Sequence, residues 1–258
     1  MASILKKWKT TRRKTTAFLN RFTSIAQFAP EDIFIVGYPK SGNTWFQDLI
    51  TGVVYGVHPV MAPPALAQVL VPDVHKEPYY RRFSTPMFFK SHHLPRPEYR
   101  RVVYLMRDGR DVMVSFYHYD KAKRGTADLA DLVRRGHRIH GKWQEHISAW
   151  LANPHGAEMI VIKYEDLKRD AIRELQRFCS FAGIERENSF LELMVREADF
   201  ENMQQREVRS GSGHITWPSD KLFRRRGIVG SYKDEMPPTV LQEFMADAGH
   251  MLRQFGYA

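Results

Sequence analysis

The sequence predicts a three-layer α/β domain, a central parallel sheet flanked by helices. Four short segments, 33–36, 87–89, 102–106 and 159–162, are apolar at both odd and even positions. Strands covered on both faces have this pattern, whereas a half-exposed strand alternates. Between them lie stretches of helical period, notably 43–54, 127–151 and 171–182. Strands alternating with helices imply parallel pairing, because each crossover must return the chain to the same end of the sheet.

In chain order, residues 1–30 form a basic extension with seven Lys or Arg and no acid, expected to be helical because Phe18, Phe22 and Ile25 recur at helical spacing behind Ile4, Leu5 and Trp8. Such an arm suits peripheral contact with a membrane surface or docking on a partner. Of the formal charge of +10, only +3 is left on residues 31–258, which form a single domain. That near balance argues against nucleic acid as partner. No apolar run is long enough to span a bilayer, and Asn20 and Arg21 interrupt the N-terminal one. One cysteine, Cys179, excludes an internal disulfide framework and fits a reducing, cytoplasmic setting.

Residues 62–86 carry several prolines and no clear period, which reads as loops and short helices near a substrate entrance. The stretch 127–151 reads as one helix with Trp143, Ile147, Trp150 and Leu151 on one face, ended by Asn153-Pro154. Residues 201–226 are polar and read as a long irregular loop, the kind that carries function.

The first strand runs into Gly37-Tyr38-Pro39-Lys40-Ser41-Gly42-Asn43-Thr44-Trp45 and then a helix. A strand, a glycine turn and a helix start present backbone N–H groups and a positive dipole end to an anion, a P-loop-like cradle. A nucleoside-triphosphate loop would carry its lysine where Asn43 stands; here the lysine lies within the turn, at Lys40. No carboxylate following a strand is suited to holding magnesium, which weighs against the alternative of a metabolite kinase. Metal catalysis has no motif to support it: there are no paired cysteines and no H-E-x-x-H helix.

The run Tyr38 to Trp45 resembles the 5′-phosphosulfate loop of the cytosolic sulfotransferase family, usually written YPKSGTTW, with Asn43 as the single change. The family uses 3′-phosphoadenosine 5′-phosphosulfate (PAPS) as donor and no metal. By that resemblance Lys40, Ser41, Gly42, Asn43, Thr44 and Trp45 bind the donor. Arg107, at the end of the third strand, and Ser115, eight residues on, match the R-x7-S pattern that holds its 3′-phosphate.

Phe223-Arg224-Arg225-Arg226-Gly227-Ile228-Val229-Gly230-Ser231-Tyr232-Lys233 is similar to the family segment F-x-R-K-G-x-x-G-x-W-K, so Arg225, Arg226 and Gly227 would close on the 3′-phosphate. Arg226 replaces a lysine and Tyr232 a tryptophan. Trp45, Tyr164 and Phe200 are implied to surround the adenine. Taken alone, the triple arginine and basic arm would also fit a polyanion-binding module.

Lys90-Ser91-His92-His93-Leu94-Pro95 is similar to the family's K-T-H-L-P, whose histidine is the catalytic base. Counting from Lys90 selects His92; counting back from Leu94-Pro95 selects His93. His92 is preferred, since the preceding strand fixes side-chain direction better than the following loop. Lys40 is the electrophile expected at the bridging oxygen. The acceptor, a hydroxyl or amine of a small molecule, lipid or glycan, is expected between segments 57–80 and 126–140, where Tyr79, Tyr80 and Phe83 suggest a small hydrophobic alcohol or phenol. The family's dimer segment is matched only loosely by Lys233, Thr239, Val240 and Glu243, and Pro237-Pro238 leaves the oligomeric state open.

Overall fold

A computed structural model of the chain describes residues 22–213 and 217–258. Strands β2 (Ile33–Gly37), β4 (Phe88–Ser91), β5 (Arg101–Met106) and β6 (Glu158–Lys163) form one parallel sheet in the order β4-β2-β5-β6. All four expected strands are present; β2, β5 and β6 are longer by one or two residues, and β4 starts one residue later than expected, at Phe88, and runs on to Ser91. In β2, Phe34 and Val36 enter one core cluster while Ile33 and Ile35 enter the other. Successive side chains point to opposite faces, and both faces are covered, hence the run without alternation.

The register decides where the chemistry sits. Val36 pairs with Ser91, Gly37 with Leu105 and Met106 with Lys163, so all four strands end on one edge. Successive strands lie on opposite sides of β2, so the crevice beyond these ends is the topological switch point where open α/β sheets bind ligands. Helix α1 (Asn43–Tyr55) follows β2, and α3 (Gly109–Arg124) follows β5.

Two expectations are corrected here. The helix expected over 127–151 is two, α4 (Leu129–Arg135) and α5 (Trp143–Ala152), divided at Gly136. There φ is +74°, and a Cβ would lie 2.5 Å from the backbone of Gly141, so the chain folds back and His137 pairs with Gly141. The face proposed from sequence persists in α5, where Trp143, Ile147 and Trp150 are buried. The start of the polar stretch 201–226 is helical, α9 (Phe200–Ser210). Its buried face consists of Met203, Arg206 and Glu207, so charged residues at helical spacing hid the period.

Most of the basic arm lies outside the described residues. Residues 22–30 are not helical. Thr23–Ser24 (β1) pairs with Tyr79–Tyr80 (β3), while Ile25 and Phe28 pack on the core. The segment 62–86 holds one short helix, α2 (Pro64–Leu70), and β3. Among the described residues no helix is long and apolar enough to cross a membrane.

Candidate active site

The loop after β2 turns through two residues of positive φ, Lys40 at +75° and Gly42 at +97°. Only glycine serves at position 42, because a Cβ there would lie 2.8 Å from the Tyr164 ring. Lys40 pays backbone strain to hold its place, a cost met mostly at functional turns. Gly42 caps α1 and offers no side-chain acceptor, and the first turn contains no acid. Its N–H groups are thus left for an anion.

Four orphaned polar atoms bear on the same point. Ser41 Oγ, both amide atoms of Asn43 and Arg107 Nε are buried without a hydrogen-bond partner. Buried polar groups normally find one. Four such atoms around one turn fit a phosphate-bearing ligand supplying the missing partners. The rest of Arg107 is held: it donates to the carbonyls of Lys40 (3.3 Å) and Ile228 (3.0 Å), and its guanidinium lies 4.4 Å from the Tyr164 ring centre. It therefore joins the phosphate loop to the segment carrying the triple arginine.

All of these residues except Ser41 border a cavity of about 860 Å³. Of the residues singled out from sequence, Lys40, Gly42, Asn43, Thr44, Trp45, His92, Arg107, Ser115, Tyr164, Phe200, Arg225, Arg226 and Gly227 all line it. Ser41 does not; it lies buried beneath the turn. Twelve Lys or Arg line the wall against two Asp, so the positive field is concentrated here although the domain is nearly balanced. Trp45, Tyr164 and Phe200 share one end. Trp45 donates to the Ala198 carbonyl at 2.8 Å, and Tyr164 to the Gly227 carbonyl at 3.1 Å. A Cβ on Gly227 would meet the Phe200 ring at 2.1 Å, so that glycine sets how closely the segment approaches the aromatic end.

The two histidines separate clearly. His92 lines the cavity and its Nδ1 lies 2.7 Å from the Gly37 carbonyl, which can only accept. The proton therefore sits on Nδ1, leaving the Nε2 lone pair of the neutral ring free. Burial, the largest cause, and Lys90 hold its pKa well below the ordinary histidine value. His93 does not border the cavity; its Nδ1 is 2.9 Å from the Tyr99 hydroxyl. Lys40 Nζ stands 4.5 Å and 4.6 Å from the ring centres of Tyr119 and Phe223. Burial, with Lys90 and Arg107 nearby, lowers its pKa to about 7.

Sequence reasoning missed a second set of residues. His75 accepts from the His92 backbone N–H at 2.9 Å through Nε2, and His137 and His140 extend the cluster along the cavity. Asp73 pairs with Lys90 at 3.4 Å, and Lys90 donates to Thr44 Oγ1 at 3.3 Å. Tyr79, Tyr80 and Phe83, expected at the entrance, do not line the cavity. Tyr80 is buried in the core beside Phe89, and Phe83 is exposed. Scattered histidines have no periodicity to give them away. The signal for His118, also on the cavity wall, was available: with Asp111 and Ser115 it falls at i, i+4 and i+7 on one face of α3.

An anion cradle at the strand ends beside a histidine of fixed tautomer is an arrangement suited to group transfer in an α/β enzyme. Residues 30–256 match the sulfotransferase domain family, and the chain belongs to it. It is a sulfotransferase, in a family whose members use PAPS. Similar proteins include sulfotransferase 1B1 of Mus musculus, 25% identical over 89% of this chain and 86% of that protein, and sulfotransferase 2A1 of Macaca fascicularis, 27% identical over 83% and 81%. Among solved structures, mouse sulfotransferase SULT7A1 complexed with PAP superposes with a TM-score of 0.66 at 21% identity, covering 90% of this chain and 91% of that one. A retinol dehydratase in complex with androsterone and PAP gives a TM-score of 0.66 at 18% identity, covering 88% and 82%.

Proposed function

We propose that this enzyme transfers the sulfuryl group of PAPS to a hydroxyl of a neutral small molecule, with His92 as general base and Lys40 at the leaving oxygen. The observation that carries the reading is the convergence, at one sheet edge, of an anion cradle with unpartnered donors and a histidine whose Nε2 is free. The donor supplies an activated sulfuryl group on a phosphate. The first turn of α1, Ser41, Asn43 and Lys40 would hold that phosphate, Arg107, Ser115, Arg225 and Arg226 the 3′-phosphate, and Trp45, Tyr164 and Phe200 the base.

In the transfer, His92 Nε2 takes the hydroxyl proton as the acceptor oxygen bonds to sulfur, and the sulfur–oxygen bond to the 5′-phosphate breaks. Lys40 meets the charge developing on that oxygen. In-line positioning and charge stabilisation suffice; no covalent step on the protein is needed, as in phosphoryl transfer.

The neutral acceptor is read from the far end of the cavity. Burial lowers the pKa values of His75, His137 and His140, that of His140 to about 4, so these rings are uncharged near pH 7. The acids there are paired, Asp73 with Lys90 and Asp120 with Arg124. Phe116 and Ile139 complete the wall. Neutral hydrogen-bonding rings beside apolar faces suit a hydroxylated ring better than a carboxylate or phosphate.

The test is calorimetry of adenosine 3′,5′-bisphosphate against AMP and magnesium-ATP at two salt concentrations, followed by a screen of neutral hydroxylated acceptors with PAPS. The bisphosphate should bind at least about tenfold tighter than AMP, equivalent to about 1.4 kcal/mol for the 3′-phosphate. Equal affinities, or preference for magnesium-ATP, would sink the reading in favour of a kinase or a polyanion binder.

A further inference from the structure

The segment 223–232 is strapped down at both ends and carries its cations in between. At one end Glu207 accepts from the backbone N–H groups of Phe223 and Arg224 and pairs with the Arg224 guanidinium, which also reaches Asp48 at 2.8 Å. At the other end the buried Asp111 accepts from Gly230 N at 2.8 Å, Ser231 Oγ at 3.1 Å and Tyr232 N at 3.0 Å. Those bonds start the single-turn helix α10 (Tyr232–Glu235) and thereby aim Glu235 back under the strap.

Both Glu235 oxygens are engaged. Arg225 makes a two-pronged pair with it (2.7 and 2.8 Å), Arg226 donates at 2.8 Å, and His118 donates from Nε2 at 2.6 Å. Arg225, Arg226 and His118 border the cavity, whereas Glu235 does not. The carboxylate thus ties together three groups that border the cavity without bordering it itself, and Arg226 also donates from Nη2 to Asp234 at 3.4 Å. Burial raises its pKa, but the hydrogen bonds from Arg225, Arg226 and His118 more than reverse this and hold it lowered to about 2, so it stays ionised at working pH.

We infer that Glu235 is a positioning residue that assembles Arg225, Arg226 and His118 into one preformed receptor for the donor's 3′-phosphate, and that His118 is a further binding residue of that site. The inference rests on the donor reading above. Two long arginines free in solution would each lose rotamer entropy on gripping a phosphate; tying them to a fixed carboxylate removes that loss before the ligand arrives. A two-pronged carboxylate pair uses one edge of a guanidinium and leaves other N–H groups available. His118 lies one turn beyond Ser115 on the same face of α3, so the helix places it beside the pair Arg107 and Ser115 already assigned to that phosphate.

The alternative sign is also physical, since a negative charge near the site could repel the phosphate instead. Calorimetry of Glu235→Gln and His118→Ala with adenosine 3′,5′-bisphosphate and with AMP decides between them. Each variant should bind the bisphosphate about tenfold more weakly, one lost charge-assisted contact, with AMP affinity unchanged. The double variant should lose less than the product of the two. If Glu235→Gln binds the bisphosphate as well as or better than the parent, or if AMP weakens in the same ratio, the inference is wrong. A parent enzyme without preference for the bisphosphate would remove the donor reading and this inference together, while a parent with that preference and an E235Q that keeps it removes this inference alone.

Discussion

The floor of the cavity and its arginine wall present positive charge to the same space in different ways. The floor is the end of a parallel sheet: the turn after β2, the start of α1 and the residues following β4, β5 and β6 are fixed by the backbone pairing of the strands and by the apolar core around β2 and β5. The wall is the strap 223–232, which has no strand and only one helical turn at its end, and which is held by Asp48, Glu207, Asp111 and Glu235. The contrast shows that a rigid scaffold supplies the dipole and backbone donors, while side-chain ion pairs supply a part that can loosen without unfolding the sheet. Segments that few buried apolar contacts hold are the ones that open locally.

Substitutions on the two sides should therefore behave differently. The largest effect is expected on the floor: His92→Ala should lower kcat of PAPS-dependent transfer about 10²–10⁴-fold, the usual worth of a general base, with bisphosphate affinity little changed. His93→Ala, outside the cavity, should cost far less. Equal losses in the two variants would return the choice of base to His93 or to neither.

On the wall, Asp48→Asn leaves Arg206 and Arg224 without their shared buried carboxylate, and loss of one partner from a buried ionic cluster costs about 3–5 kcal/mol. Thermal unfolding should drop accordingly, and bisphosphate binding should weaken more than AMP binding as the strap loosens. An unchanged melting temperature would mean that Glu207 and Asp111 hold the strap without Asp48.

The smallest effect is a pH dependence of the floor. Because burial, Lys90 and Arg107 lower the Lys40 pKa to about 7, its ammonium is lost from the donor-free enzyme as pH rises through 7. His92, held well below the ordinary histidine value, is already neutral there and stays so on mild acidification. The kcat/KM for PAPS, which reports ionisations of the free enzyme, should fall by up to about tenfold per pH unit above 7 and show no acid limb near 6.5. A profile that rises through pH 8 would show that Lys40 does not act as a cation.

The floor was legible in the sequence because its rules are local. A run apolar on both parities has one use in an α/β domain, and glycine at position 42 suits the positive φ of the turn. The helix α9 was not legible, because Arg206 and Glu207 on its inner face are buried only by virtue of partners 158 and 17 residues away in the chain, Asp48 and Arg224. The division at Gly136 was open to reading, since glycine inside a helical pattern marks a break; the flanking period outweighed it.

The amino-acid sequence by itself determined the four strands and the anion-binding turn, since each follows from short-range pattern or backbone sterics. Only the tertiary structure decided which of two adjacent histidines borders the cavity, which histidines line its far end, and that Glu235 ties the arginines together. Those facts depend on strand register and on pairs of charges far apart in the chain, and long-range pairing leaves no periodic trace in one sequence.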